Sequence, residues 1–376
     1  MNIDRFIIYI TIFIIMGLSD AVIPIIPELV ELSQAPYGPL SSSLLFSGYF
    51  LGALVTMLPF GLLADRYGNE KLITLGILLT LISGSIIMTS NNFWILFLAR
   101  ILEGTACGAF FPAAFSILSK FEERKKYFGE FNFLLNAGLG FGLLVAGILA
   151  SIHIRAGIFI FTLMSGLVLI ISIYRMTSIP VENALKDNAF MGLPFTLKGR
   201  ISLIYYSLLN IRQGKIWIFT FLLFGCTAVL IAFYPDYSAE FLSKAELGGS
   251  LALIYFVAMA TSFFAGRSSY DYRSLIYTGL FFTGIGAIIS INYPIIGFSV
   301  LGAGSGIGMV GLPVAVSKMK VPRGLSMGLF NTATYGGLAL LPIFAGFFIS
   351  ILSFEQIFLI NGLLVIVAAI YARAVF

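Results

Sequence analysis

The sequence predicts an all-α membrane protein whose twelve transmembrane helices form two six-helix bundles. Three observations lead to this prediction: an apolar composition, twelve long apolar stretches, and a pattern that recurs in both halves of the chain. Of the 376 residues, 59% are hydrophobic and 10% are charged, whereas soluble globular domains carry roughly 25% charged residues. Together with a mean hydropathy of +1.01, this composition excludes a soluble domain and a disordered chain.

Each apolar stretch can cross a bilayer, which takes about 20 residues in a helix. The runs are continuous and do not alternate with polar residues, so they predict helices rather than the strands of a membrane barrel. The first run is longer than the core of a signal peptide and is expected to remain as a span. The twelve predicted spans cover roughly residues 6–30, 40–63, 72–90, 93–118, 129–151, 156–177, 214–235, 247–266, 274–291, 293–316, 325–350 and 354–373.

Basic residues predict the orientation, because Lys and Arg accumulate on the cytoplasmic side of membrane proteins. With both termini in the cytoplasm, the outer loops hold only Arg155 and Lys244. Arg100 lies within a span, and the rest of the 22 basic residues lie on the cytoplasmic side. The outer side is instead expected to carry acidic residues, namely Glu28, Glu31, Asp236, Glu240, Glu246 and Glu355. A cell-membrane location follows.

The longest polar stretch, residues 178–213, is predicted to be a cytoplasmic linker between a first bundle (1–177) and a second (214–376). Apolar residues recur at helical spacing over 201–209, which predicts a helix lying in the membrane interface. A plain connector is the alternative.

A repeat relates the two halves at an offset of about 200 residues. Two similar bundles that point the same way indicate a transporter with a site between them. Val300 and Ala303 then stand where the first half has Arg100 and Glu103, so any charge chemistry is expected in the first half. The glycine matches are Gly104 with Gly304, Gly108 with Gly308, and Gly138 with Gly337.

A motif follows span 2, where residues 61–68 read Gly-Leu-Leu-Ala-Asp-Arg-Tyr-Gly. This resembles the G-x-L-a-D-R-x-G signature of the major facilitator superfamily, although Asn69 and Glu70 depart from the basic pair that follows it there. The resemblance implies a transporter, not an enzyme, that works by alternating access. It also implies a conformational role, as a latch on the cytoplasmic side, for Gly61, Asp65, Arg66 and Gly68.

Charged side chains inside a span are costly and usually mark a pathway. Three lie well inside the predicted spans: Asp20 in span 1, and Arg100 and Glu103 in span 4. At a rise of about 1.5 Å per residue, all three lie near the midplane or somewhat outward of it. Arg100 and Glu103, three residues apart, share one helix face. The three charges sum to −1, which suits a proton or a cationic substrate.

Two further patterns resemble the multidrug/proton antiporter branch of the family. The segment around Arg100 and Glu103 is similar to a motif, R-x-x-q-G, that is associated with proton-coupled members. Asp20 followed by Pro24 is similar to span 1 of polyspecific antiporters, whereas Leu143 replaces a proline that drug antiporters carry in span 5. The resemblance implies proton coupling or substrate binding by Asp20, Arg100 and Glu103. A purely structural ion pair is the alternative.

The remaining spans supply candidates for a substrate cavity. Asn136 in span 5 could line the cavity or bond another helix. The second half is expected to supply apolar wall, although its aromatic rings could equally face lipid. The candidate wall residues are Phe224, Phe233, Tyr234, Tyr255, Phe330 and Tyr335.

These features predict a secondary transporter that exports small apolar or cationic compounds in exchange for protons, as a monomer. An uptake symporter or uniporter, a lipid translocase, and a non-transporting receptor are the alternatives. The sequence lacks a G-x-x-x-x-G-K-[ST] phosphate loop, so direct drive by ATP is not expected. With one His and two Cys, neither a metal site nor a cofactor is expected. The predicted partners are the substrate, protons and the lipid bilayer, without nucleic acid.

Overall fold

The computed structural model of the protein describes residues 3–119, 121, 123–177, 211–319 and 323–375. Every regular element in these ranges is helical. A short 3₁₀ turn, Ile23–Ile25, separates the first two helices. The helices are α1 (Ile3–Ala21), α2 (Ile26–Leu32), α3 (Pro39–Tyr67), α4 (Asn69–Thr89), α5 (Phe93–Ser119), α6 (Arg124–Leu149), α7 (Ala156–Thr177), α8 (Ile211–Tyr237), α9 (Lys244–Arg267), α10 (Tyr272–Ile289), α11 (Pro294–Ser317), α12 (Arg323–Gly346) and α13 (Phe354–Val375).

Twelve helical segments of the described residues are long and apolar enough to cross a membrane. Each overlaps one predicted span, so the prediction of an all-α protein with twelve spans is confirmed. Residues 178–210, with the predicted interfacial helix, lie outside the described residues.

The first span is interrupted, which the run of apolar residues did not reveal. Helix α1 ends at Ala21, the 3₁₀ turn Ile23–Ile25 follows, and α2 begins at Ile26. Pro24 lies in the 3₁₀ turn and Pro27 in the first turn of α2, and a proline has no backbone N–H for a continuous helical ladder. The interruption leaves Asp20 in the last turn of α1.

The described residues group into two compact units. In the first, α5 packs against α3 and α4, and α1 packs against α6 and α7. In the second, α10 packs against both α11 and α13. Residues Tyr234–Ala252, the end of α8 and the start of α9, group with the first unit. The bundle boundaries at residues 177 and 214 stay a prediction.

Glycines let α5 approach α3 closely in the first unit. Gly104 lies against the backbone of Tyr49, and Gly108 lies against Thr56. A Cβ atom on Gly104 would come within 2.8 Å of the backbone nitrogen of Ala53. Small residues of this kind allow close helix packing without a driving force from water.

The second unit repeats this contact between α11 and α9. Gly302 lies against the backbone of Ile254, and Gly306 lies against the hydroxyl of Thr261. The two threonines are equivalent, since Thr56 bonds the carbonyl four residues earlier in α3 and Thr261 does the same in α9. The repeat is therefore present in the packing as well as in the sequence.

This contact corrects the predicted register of the repeat in α11. Gly302 and Gly306 are the counterparts of Gly104 and Gly108, whereas Gly304 faces Thr283 of α10 instead. The same two-residue correction applies to every residue of α11, because the residues of a continuous helix keep fixed positions relative to one another.

The residues equivalent to the charged pair of the first half change accordingly. Phe298 and Leu301, rather than Val300 and Ala303, are the counterparts of Arg100 and Glu103. Both counterparts are apolar and fully buried. The second half thus carries no charge at these two places under the corrected register either.

Candidate functional site

Helix α5 carries a buried ion pair. Arg100 is 1% exposed and Glu103 is fully buried. The Arg100 Nη1 donates to Glu103 Oε2 at 2.6 Å. The contact follows from the spacing of three residues, which places both side chains on one helix face. Because an unpaired buried charge is strongly unfavourable, each side chain stabilises the other.

Arg100 also ties α5 to two other helices. Its Nε donates to the carbonyl oxygen of Leu45 in α3, and its Nη1 donates to that of Ser19 in α1, both at 3.2 Å. The guanidinium lies 5.3 Å from the ring centroid of Tyr49. Among the described residues, Arg100 Nη2 and Glu103 Oε1 have no hydrogen-bond partner. One donor nitrogen and one acceptor oxygen of the pair are therefore available for a further hydrogen bond.

Asp20 is the sequence neighbour of a residue that Arg100 contacts. It follows Ser19, whose carbonyl oxygen accepts from Arg100, and it is 2% exposed. It also stands at the end of α1, one residue before the helix stops. The three charges predicted from the sequence are thus all buried in the first unit, with Arg100 as the link between their helices.

Asn136 is half-buried in α6. Its amide donates to the carbonyl oxygen of Asn132, one turn earlier in the same helix, at 2.9 Å. A role in lining the cavity stays a prediction.

The signature motif forms the turn between α3 and α4. Gly68 has a φ of 90°, a conformation that a residue with a Cβ rarely adopts. The next residue, Asn69, donates from its amide to Ser116 Oγ of α5 at 2.9 Å, so the residue that departs from the signature anchors the turn. Asp65 and Arg66 lie in the last turn of α3, and their side chains lie outside the described part of the structure.

Gly61, the first residue of the signature, makes no tight contact with another helix. A Cβ atom there would lie 3.7 Å from Pro112 of α5, an ordinary van der Waals distance. The tight contacts between α3 and α5 are instead at Gly52, Gly104 and Gly108.

The candidate wall residues are unequal in exposure. Phe233 and Tyr234 are fully buried, and Phe233 packs 6.3 Å from the ring of Phe354. Phe224 and Phe330 form an edge-to-face pair with centroids 6.4 Å apart. The other two candidates, Tyr255 and Tyr335, are half-buried. A cavity role for this set stays a prediction.

Sequence reasoning missed Asp236, which it assigned to an outer loop. The structure places Asp236 inside α8, where Ser42 Oγ donates to its Oδ1 at 3.2 Å. A signal was available in the sequence, because three consecutive serines, Ser41, Ser42 and Ser43, open a predicted apolar span; the structure buries all three. A run of buried hydroxyls in an apolar helix indicates a polar partner nearby.

Comparison with known proteins identifies the family. The model of the Major Facilitator Superfamily matches residues 8–237 and 216–376. The chain belongs to the Major Facilitator Superfamily. It is therefore a multi-pass membrane transporter rather than an enzyme.

Two curated relatives are named for drug resistance. The quinolone resistance protein NorA of Staphylococcus aureus is 28% identical over 159 residues, which cover 41% of this chain and 40% of that protein. The methylenomycin A resistance protein of Bacillus subtilis is 29% identical over 135 residues, or 35% of this chain and 29% of that protein. The matched regions thus span less than half of either relative.

Solved structures share the fold over the whole chain. A mutant form of the nucleoside transporter NupG superposes with a TM-score of 0.79 at 14% identity, covering 99% of this chain and 100% of that one. A POT peptide transporter in complex with alafosfalin superposes with a TM-score of 0.78 at 14% identity, covering 98% and 93%. At this identity the likeness concerns the fold alone.

Proposed function

We propose that this chain is a secondary active transporter that exports small apolar or cationic compounds in exchange for protons. The observation that carries the proposal is the Arg100–Glu103 ion pair, buried in α5 and bonded to the carbonyl next to Asp20. Buried ionisable groups in a membrane protein commonly belong to a proton or substrate pathway. The relatives named for resistance to quinolones and methylenomycin A support export as the direction.

Glu103 supplies a place for the proton. Its Oε2 accepts from Arg100, whereas Oε1 has no hydrogen-bond partner among the described residues. A proton on Oε1 would neutralise the carboxylate without displacing Arg100 from Oε2. The loss of charge weakens the attraction between the two side chains, because an ion pair becomes a hydrogen bond to a neutral group.

Arg100 conveys that change to other helices. The carbonyl oxygens of Leu45 and Ser19 hold its guanidinium on α3 and α1, so a weaker pull from Glu103 changes the balance of forces at three helices. Without its proton, the set of Asp20, Arg100 and Glu103 carries a net charge of −1, which favours a cationic substrate. Proton and cation then compete for one charge, as exchange requires.

Location and orientation complete the proposal. The excess of Lys and Arg on one side of the predicted spans supports a cell-membrane protein with both termini in the cytoplasm. The aromatic pair Phe224 and Phe330 is suited to the apolar part of a substrate. Both compact units belong to one chain, and we propose that the transporter works as a monomer.

The test uses purified protein in lipid vesicles with an imposed pH gradient. A fluorescent lipophilic cation serves as the substrate probe, and its movement is followed with and without a protonophore. Wild-type protein is expected to move the probe against its gradient while protons flow the other way. The double variant Glu103→Gln with Asp20→Asn is expected to lose this coupled movement, because neither side chain can release a proton.

Glu240→Gln is the matched control, since Glu240 is an exposed carboxylate in the turn between α8 and α9. It is expected to transport as the wild type does. Undiminished coupled movement in the double variant would reject the proton role of Asp20 and Glu103. Movement of the probe that ignores the pH gradient in wild-type protein would reject proton exchange altogether.

A further inference from the structure

A second group of charges, each half-buried, lies at the end of the spans where α8 turns into α9. We call Glu28, Ser42, Asp236 and Lys244 the hairpin-end cluster. Glu28 belongs to α2, Ser42 to the first turn of α3, Asp236 to the last turn of α8, and Lys244 opens α9. All four belong to the first compact unit, which includes Tyr234–Ala252. The Arg100–Glu103 pair contributes no residue to this cluster.

Two contacts hold the cluster together. Ser42 Oγ donates to Asp236 Oδ1 at 3.2 Å. Lys244 Nζ forms an ion pair with Glu28 Oε1, and both side chains are about a quarter exposed. Asp236 Oδ2 and Glu28 Oε2 are buried without a hydrogen-bond partner among the described residues. Each carboxylate therefore has a polar partner at one oxygen and none, among the described residues, at the other.

Beside the cluster, the start of α9 packs closely on the backbone of α6. Gly147 of α6 lies against the backbone of Lys244 and Gly248 in α9, and a Cβ on Gly147 would be 3.0 Å from the Gly248 Cα. Gly248 in turn lies against the carbonyl of Leu143. This glycine contact keeps Tyr234–Ala252 seated on the first-half helices.

The charges of the cluster do not balance. Two carboxylates face one ammonium, which leaves a net charge of −1. The titratable groups around Asp236 in the described residues are Glu28 on α2, Lys244 on α9, and Tyr234 and Tyr237 on its own helix; the contact from α3 is the Ser42 hydroxyl. Even partial burial of a net charge is unfavourable, and one added proton would make the cluster neutral.

We infer that Asp236 is a proton-binding site, and that a proton there stabilises the closed packing of Tyr234–Ala252 on the first-half helices. The Lys244 ammonium forms its ion pair with Glu28 and acts on Asp236 only as a neighbouring charge, so Asp236 is the carboxylate of the cluster without an ion-pair contact among the described residues. When the packing opens, water solvates the ionised carboxylate. When it closes, the neutral form is the better fit.

The inference rests on the proposed function, in which protons drive transport. The distribution of basic residues assigns this end of the spans to the outside. A proton taken up from outside would therefore be needed before this end closes, which ties proton entry to the conformational step.

The experiment measures the packing directly and needs no substrate. Cysteines replace Ala239 in the turn after α8 and Ile152 in the turn after α6, both exposed positions, and each is spin-labelled. The native Cys107 and Cys226 are buried, and His153, the single histidine of the chain, is replaced by Gln in every variant. The distance between the labels is recorded from pH 5 to 9.

The wild-type side chains are expected to give a closed fraction that rises several-fold as the pH falls. Asp236→Asn is expected to be closed at every pH, because its amide is always neutral. Glu31→Gln is the matched control, since Glu31 is an exposed carboxylate one turn from Glu28, and it should keep the wild-type titration.

A distance distribution independent of pH in the protein with Asp236 would overturn the inference, and this measurement involves no change at the site. An unchanged titration in Asp236→Asn would also overturn it. Proton-driven flux without the pH-dependent distance would reject this inference alone. The pH-dependent distance without proton-driven flux would reject the proposed function alone.

Discussion

The two compact units use the same helix contacts and differ in what they bury at equivalent places. At three of these places the first unit has charged residues, namely Asp20, Arg100 and Glu103. In the second, Phe298 and Leu301 replace the pair on the equivalent helix, and each is fully buried.

Asp20 has its counterpart in Ala228. Gly138 packs on Phe13 in the first unit just as Gly337 packs on Phe221 in the second. The same register brings Asp20 onto Ala228, which is fully buried.

The comparison separates folding from function. Because Phe298 and Leu301 fill their places in an equally buried helix, the architecture does not require a charge there. A buried ion pair can often be replaced by apolar residues without loss of stability, whereas removal of one partner is costly. The charges of the first unit are therefore additions to a fold that the glycine contacts already specify.

The largest expected effect comes from breaking the ion pair on one side only. Arg100→Ala leaves Glu103 buried without its cation and is expected to destabilise the protein by about 3–5 kcal/mol. Replacing both residues as the second unit does, with Arg100→Phe and Glu103→Leu, is expected to restore most of that stability while abolishing proton-coupled transport. Denaturant unfolding in detergent measures the first effect, and vesicle flux the second.

A double variant as unstable as Arg100→Ala would show that the two units differ in more than their charges. Phe and Leu would then stabilise α11 at these positions without being able to do so in α5, and the two helices could not be treated as equivalent.

The next effect tests the contacts that the units share. Gly104→Ala and Gly302→Ala both push a methyl group into the backbone of the neighbouring helix. Each is expected to cost about 1–3 kcal/mol, the usual range for overpacking. The two losses should be similar, as measured by thermal unfolding, because the contact is the same in both units.

Gly129→Ala and Gly328→Ala are the controls, since neither position has an atom within 4 Å of the added Cβ. They are expected to leave the unfolding temperature unchanged or slightly raised. A loss at Gly104 with none at Gly302 would contradict the equivalence of the two contacts.

A smaller effect is expected at the aromatic partner of Arg100. Tyr49→Ile copies its counterpart, Ile254, and removes the ring that lies 5.3 Å from the guanidinium. The expected loss is about 1–2 kcal/mol, because a cation–π contact is stronger when desolvated. Repeating the substitution in the Arg100→Phe, Glu103→Leu background should show little of this loss. An equal loss in both backgrounds would mean that Tyr49 acts by packing and not through the charge.

The smallest effect concerns the turn between α6 and α7. Arg155 donates to the carbonyl oxygens of Met88 and Ser90, at 2.6 and 2.9 Å, and so ties this turn to the end of α4. Arg155→Gln is expected to cost about 1 kcal/mol, the net value of a hydrogen bond or two. Hydrogen exchange should become faster for the amides of residues 88–92 and stay unchanged in the second unit. Faster exchange in both units would indicate a global rather than a local loss.

Much of the fold follows from local properties of the sequence. Twelve apolar runs predict twelve spans because the cost of placing polar residues in lipid is decided residue by residue. The signature at residues 61–68 is equally local, and the family match confirms it. The interruption at Pro24 was missed because the apolar run continues through it, and hydropathy does not register a lost N–H.

The candidate site also contains residues that the sequence could identify and others that it could not. Asp20, Arg100 and Glu103 could be selected because a charge inside a span is rare. Asp236 was missed because it lies at the edge of a span and its hydrogen-bond partner, Ser42, belongs to another helix. The partners of Arg100 were also out of reach, since they are backbone carbonyls that any residue possesses.

The sequence by itself determined the number of spans, the family, and the three charges whose position inside a span is costly and therefore indicates a function. These depend on short stretches and on transfer energies that need no partner. Only the tertiary structure decided the register of the repeat, the helices that Arg100 joins, and the seating of Asp236 beside Ser42. Those depend on which faces of distant helices meet, and a shift of two residues along a helix turns a different face to its neighbour.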